Sequence, residues 1–180
     1  KYLLHLCSFR ETFIYLDFLY FMTENLKFAP REIFEQILEW AVIPTFDLII
    51  ETENGVVLVK RKIAPYKDVW ALPGLRMFKG ESINDVLKRI AKKEINLEID
   101  TNNKIFLGQY VGYFKTECAR QDLSSGYYIK CFDQEIIINE DHFYSVMFVT
   151  KKDEIPRNIG AMYKFYLEKY FELKSNAENL

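Results

Sequence analysis

The sequence predicts an α/β protein of the α+β type: a mixed β-sheet sandwiched between α-helices. Three observations predict it. Two β-branched, apolar runs, Phe46–Ile50 and Val56–Lys62, are joined by Glu53-Asn54-Gly55, a strong hairpin signal. A capped amphipathic helix opens at Ser82. Further strand-like runs then lead to a closing helix. The order helix, hairpin, loop, helix, strands, helix suits a mixed sheet packed on both faces.

Each element has a local reason. Pro30 opens a short amphipathic run with Ile33, Phe34, Ile37 and Leu38 at helical spacing, and Pro44 ends it. After the hairpin, a loop from Ala64 to Asp68 leads into Val69-Trp70-Ala71-Leu72. Ser82 caps the second helix, with Asp85 three residues on as its capping-box partner, and the helix ends near Asn96. Ile105–Phe114, Tyr127–Phe132 and Val146–Val149 read as strands, and residues 115–126 as a polar loop placed over a site. Pro156 precedes a last helix that gathers Ile159, Met162, Tyr163, Tyr166, Leu167 and Tyr170 on one side.

The 180 residues, 49% of them hydrophobic, suffice for one domain with a real core. A net charge of -2 without a basic block disfavours nucleic-acid binding. Cys7, Cys118 and Cys131 have no metal-like spacing and read as reduced thiols in a cytoplasmic setting. Residues 1–21 are apolar but broken by Lys1, His5, Arg10, Glu11 and Asp17, which argues against a membrane span. They read as an extension of doubtful origin, either partner-binding or a wrongly translated leader upstream of a start at Met22, with the domain proper over 22–180.

The stretch with most chemical content is Leu72-Pro73-Gly74-Leu75-Arg76-Met77-Phe78-Lys79-Gly80-Glu81, running into the Ser82 helix. On a helical wheel Ile83, Val86, Leu87 and Ile90 make the apolar face, and Glu94 falls at its centre. A carboxylate there is costly unless paired. Two readings stand: the helix frays and Glu94 reaches solvent, or Glu94 points at the sheet as a metal ligand. His142, after Asn139-Glu140-Asp141, is the only neutral-pH base in the core domain. Asp141 reads as a metal ligand or a solvated loop acid.

These residues resemble an altered Nudix box, whose pattern is Gly, five residues, Glu, seven residues, then Arg-Glu-apolar-x-Glu-Glu-x-Gly. Glu81, Arg89 and Glu94 stand in place, while Leu75, Ile90, Lys93 and Asn96 replace a Gly, two Glu and the closing Gly. The same alterations at Ile90 and Lys93, with Asn54-Gly55 leading to Lys60-Arg61, Trp70 before Pro73-Gly74, Gly108-Gln109-Tyr110 and Asn158-Ile159-Gly160-Ala161, make residues 40–172 similar to the GDP-mannose mannosyl hydrolase branch. That resemblance implies a Nudix fold and hydrolysis of a nucleoside-diphosphate sugar at the glycosyl carbon. It implies His142 as general base, and Mg²⁺ (Mn²⁺ as substitute) on Glu94, Asp141 and the Gly74 carbonyl. Arg76 and Arg61 would neutralise the leaving diphosphate, with Asp47 near the sugar and Tyr127 near the leaving group. Arg89 would orient Glu81. A homodimer through the N-terminal region is also implied, consistent with a spare apolar face over residues 30–43.

Two other readings stand beside this one. An atypical pyrophosphohydrolase would attack phosphorus, with Glu81, Glu94 and Asp141 holding the metal. A non-catalytic domain would bind a nucleotide or a partner protein. The departures from the branch are Asp141 in place of Gln, Leu75 in place of Gly, Thr116 in place of a loop histidine, and a shorter 115–126 loop.

Overall fold

The computed structural model describes residues 29–64, 66–115 and 119–178. The expected extension over 1–21, Met22, Cys7, Cys118 and Thr116 lie outside the described residues. The chain divides into a unit of residues 1–37 and a unit of residues 38–180. Helix α1 (Arg31–Trp40) runs from the described part of the first, is amphipathic, and has no buried residue.

The second unit is built on a seven-stranded mixed sheet. Its strands are β1 (Val42–Thr52), β2 (Gly55–Arg61), β3 (Trp70–Ala71), β4 (Gly74–Arg76), β5 (Ile105–Phe114), β6 (Arg120–Lys130) and β7 (Phe143–Val149). The order is β3-β2-β1-β6-β5, with β4 added on β1 and β7 on β2. Among the described strand pairs, β1 with β6 runs parallel and the rest antiparallel. One edge of β1 is shared: its end pairs with β2 at Glu51 and Thr52, and its earlier part pairs with β4 from Thr45 to Asp47. The sheet therefore forks. Asp47 and Gly74 lie on one arm, and Arg61, beside Phe143, on the other.

Helices α2 (Ile83–Ile95) and α3 (Ala161–Glu178) enclose the sheet. Ser82 and Asp85 form the expected capping box, and Asn96 closes α2 in a left-handed conformation. Val86, Leu87 and Ile90 of α2 are fully buried, as are Tyr166 and Leu167 of α3. Tyr166 lies so close to Gly126 that an added Cβ would meet its ring at 2.3 Å. Gly126→Ala is thus expected to cost about 1–3 kcal/mol by overpacking, read as a lower urea midpoint with unchanged slope.

Three expectations are corrected. Pro44 ends no helix; it lies inside β1, three residues after which Asp47 pairs with Gly74. Its ring is tolerated near the start of the strand, where its carbonyl still accepts the Met77 N–H at 3.0 Å. Residues 120–126 are strand, not loop, because their polar side chains are paired rather than solvated. Arg120 grips the buried Asp122 bidentately at 2.6 and 2.7 Å. The buried Ser124 also has partners on β1 and α3. β7 starts at Phe143, earlier than the expected Val146, so His142 sits at the strand's mouth.

Candidate active site

Glu94 is only 1% exposed, so the frayed-helix reading fails. Its Oε1 lies 2.6 Å from His142 Nδ1. Burial pushes the Glu94 carboxyl up, opposed by His142, Arg61 and Arg89. The His142 side chain is 34% exposed, so the pair has one dry member and one wet one. Asp141, next to it, is exposed. Ile90 is fully buried core and Lys93 is exposed, so neither altered box position faces a shared metal cage. Among the described residues no three His, Cys, Asp or Glu side chains gather as a metal cluster.

A second group lies on the other arm. Asp47 is 3% exposed. It accepts a hydrogen bond from Ser124 Oγ, which in turn accepts one from Tyr166 Oη at 2.9 Å. Burial pushes the Asp47 carboxyl up to about 7, against the Ser124 hydrogen bond and Arg61, while Asp122 and Glu94 add to the rise. Gly74 is required beside it, since a Cβ there would meet Asp47 Oδ1 at 2.3 Å. Arg61 is buried, donates to the Ala64 carbonyl at 3.3 Å, and acts electrostatically on both Asp47 and Glu94. It is the charge shared by the two groups.

The third group is box support. Arg89 binds both Glu81 oxygens at 2.5 and 2.7 Å, and the Arg76 carbonyl at 2.9 Å. Its guanidinium also lies 4.0 Å from the Phe78 ring centroid. Glu81 further accepts the Phe78 N–H at 2.7 Å. Arg76 is half-buried near Arg89 and Arg120, and burial first, then those two charges, lower its pKa. Leu75, where the resemblance expects Gly, pairs with Phe46 and packs on the core as an ordinary strand residue.

Tyr127 is not brought to the Asp47 group. Side chains alternate along β6, so Tyr127 faces away from Ser124 and packs with Phe46 and Phe106, at 6.1 and 5.3 Å between ring centroids. Reading 115–126 as a loop hid Arg120, Asp122 and Ser124. The period-two pattern Asp122-x-Ser124-x-Gly126 could have found them.

Asp47 gives a stability test. The folded carboxyl holds its proton up to about 7, against an ordinary 3.8. Its contribution is therefore complete below 3.8 and lost as pH rises through about 7. The gap between those values corresponds to on the order of 4 kcal/mol. Asp47→Asn carries no such loss, so its melting temperature is expected to overtake the wild type's above neutral pH, read by calorimetry across about pH 5–8.

A forked mixed sheet between helices, with a capped helix whose Arg grips a Glu from the preceding loop and whose last turn buries a second Glu, defines the Nudix class of nucleotide-derivative hydrolases, which generally use divalent metal ions. The chain belongs to the Nudix domain family, whose model matches residues 42–168. It is 27% identical over 113 residues to the low-salt glycan biosynthesis protein Agl8 of Haloferax volcanii, covering 63% of this chain and 70% of that one. Its fold is similar to the MutT NUDIX hydrolase from Burkholderia pseudomallei, with TM-score 0.63 and 18% identity over 71% of this chain and 96% of that one. It is also similar to the NUDIX domain of Shewanella oneidensis NrtR complexed with ADP ribose, with TM-score 0.63 and 17% identity over 84% and 97%.

Proposed function

We propose that this Nudix hydrolase cleaves the glycosyl C–O bond of nucleoside-diphosphate sugars, with His142 as general base. The observation that carries the reading is the His142–Glu94 pair. A buried carboxylate on Nδ1 fixes the imidazole with its proton there and leaves Nε2 as the free base. Glu94 has then become the partner of a histidine, as the carboxylate does in a catalytic triad. The box positions whose carboxylates would serve attack at phosphorus carry Ile90 and Lys93 instead.

In this reading water attacks the anomeric carbon and gives its proton to His142 Nε2. The glycosyl bond breaks and its electron pair leaves on the diphosphate, whose charge Arg61 and Arg76 offset. Asp47 would accept a hydrogen bond from a sugar hydroxyl. Glu94, Asp141 and the Gly74 carbonyl would hold Mg²⁺, or Mn²⁺ in its place. These are hard oxygen donors, too few for a full cage, which suits an ion that keeps waters and takes phosphate oxygens. A cation would also favour the charged form of Glu94, which burial disfavours. When bound, it would supply charge neutralisation on the diphosphate. The glycan biosynthesis relative supports a sugar-containing substrate.

The test is a product-resolved screen of nucleotide sugars, with and without Mg²⁺, in water labelled with heavy oxygen. Label in the free sugar, with release of nucleoside diphosphate, is expected. Label in phosphate would move the reaction to phosphorus, and nucleotide binding without turnover would make the domain non-catalytic.

A further inference from the structure

We propose that Asn139 is the positioning residue that holds His142 against Glu94. The inference rests on His142 acting as base only where it concerns turnover; the geometry stands by itself. A helix leaves its last carbonyls without intrahelical partners. In α2 the carbonyls of Lys93, Glu94 and Ile95 are taken by the segment that leads to His142. The Asn139 N–H donates to the Glu94 carbonyl at 2.9 Å, and the Ile137 N–H to the Ile95 carbonyl at 3.2 Å. Asn139 Nδ2 donates to the Lys93 carbonyl at 3.3 Å.

The same residue shapes the turn ahead. Its Oδ1 accepts the Asp141 N–H at 3.0 Å, an Asx turn. Its carbonyl accepts the N–H groups of His142 at 3.0 Å and Phe143 at 2.9 Å. From the other side, the Lys62 N–H of the segment after β2 holds the His142 carbonyl at 2.7 Å. Of the five bonds that Asn139 itself makes, two, to Lys93 and Asp141, use the side chain. They need a donor and an acceptor on a short stem, which asparagine supplies. Alanine has neither. Aspartate lacks the donor and sets a negative charge at the negative end of the helix. One residue thus ties the end of α2, where Glu94 projects, to the turn that carries Asp141 and His142.

The test uses the full chain labelled with ¹⁵N at histidine. The His142 Nδ1 proton, hydrogen-bonded to Glu94, is expected as a far-downfield resonance in the wild type, assigned by its loss in His142→Gln. Asn139→Ala is expected to lose or strongly broaden that resonance. Its kcat on the substrate from the screen is expected to fall by about 10–100-fold, the usual cost of removing a residue that orients a functional group, with KM within about threefold. Asn139→Asp, which keeps the Asp141 bond, is expected to fall between alanine and wild type on both readouts, and serves if the alanine variant does not fold. Glu135→Ala, an exposed change in the same segment, should alter neither. A retained resonance together with wild-type kcat in Asn139→Ala overturns the proposal, as does equal loss in Glu135→Ala. If the wild type turns over no nucleotide sugar, the functional reading fails while the resonance still decides the role of Asn139.

Discussion

Glu94→Gln is expected to lower turnover by roughly 10³–10⁴-fold while leaving the melting temperature unchanged or raised. The two effects have one origin. The carboxylate accepts from His142 Nδ1 at 2.6 Å. An amide there can present its own N–H, which favours the tautomer protonated on Nε2 and removes the free base. The wrong tautomer in a His–carboxylate pair has a cost of this size in serine proteases. Stability moves the other way because the variant removes a charge from a site that is 1% exposed. Turnover measured with calorimetry checks both. Full activity in Glu94→Gln would remove Glu94 from the mechanism, and a large loss of stability would mean that the charged pair, not the shape, holds the end of α2.

His142→Gln is expected to cut kcat by about 10²–10⁴-fold with KM little changed, the range for loss of a general base. Glutamine is the sharper choice than alanine. Alanine would leave the buried Glu94 carboxylate without a donor, and loss of one partner of a buried pair costs about 3–5 kcal/mol. The glutamine side chain can still donate toward Glu94 while offering no base near neutral pH. Steady-state kinetics on the substrate from the labelled-water screen, alongside thermal melting, separates the roles. Wild-type kcat in this variant would sink base catalysis by His142. If His142→Ala unfolds while His142→Gln melts normally, the pairing is structural as well as chemical.

Much of the fold was legible because its signals are local. The Glu53-Asn54-Gly55 turn, the Ser82–Asp85 capping box and β5 from Ile105 to Phe114 depend on a few adjacent residues, and all stand where the sequence put them. The buried side of α3 was nearly as plain, since Met162, Tyr163, Tyr166, Leu167 and Tyr170 recur at helical spacing, while Ile159, read with them, lies before the helix and bridges to Trp70. The start of β6 was not legible. Asp122 and Ser124 look solvated until Arg120 is seen gripping one and Asp47 and Tyr166 meeting the other. Pro44 misled for a related reason: proline stops a helix by local rules, but whether it interrupts a strand depends on partners elsewhere in the chain.

The candidate site divides in the same way. The chain alone determined its chemical inventory: one core histidine, a box stripped of two carboxylates, and arginines at 61, 76 and 89. It also set Glu94 on the apolar face of its helix, through the 3.6-residue period. Only the tertiary structure decided between the two fates of that carboxylate. The wheel left Glu94 either solvated or pointed at the sheet as a metal ligand; the fold buries it, and places against it a histidine 48 residues away in sequence that the wheel did not name. Likewise, nothing local marks Asn139 as more than a turn residue until the carbonyls at the end of α2 meet it. Periodicity and caps are written in neighbours, so a sequence can state them. The protonation and orientation of a buried group depend on which distant atoms replace its water, and the folded sheet determines that.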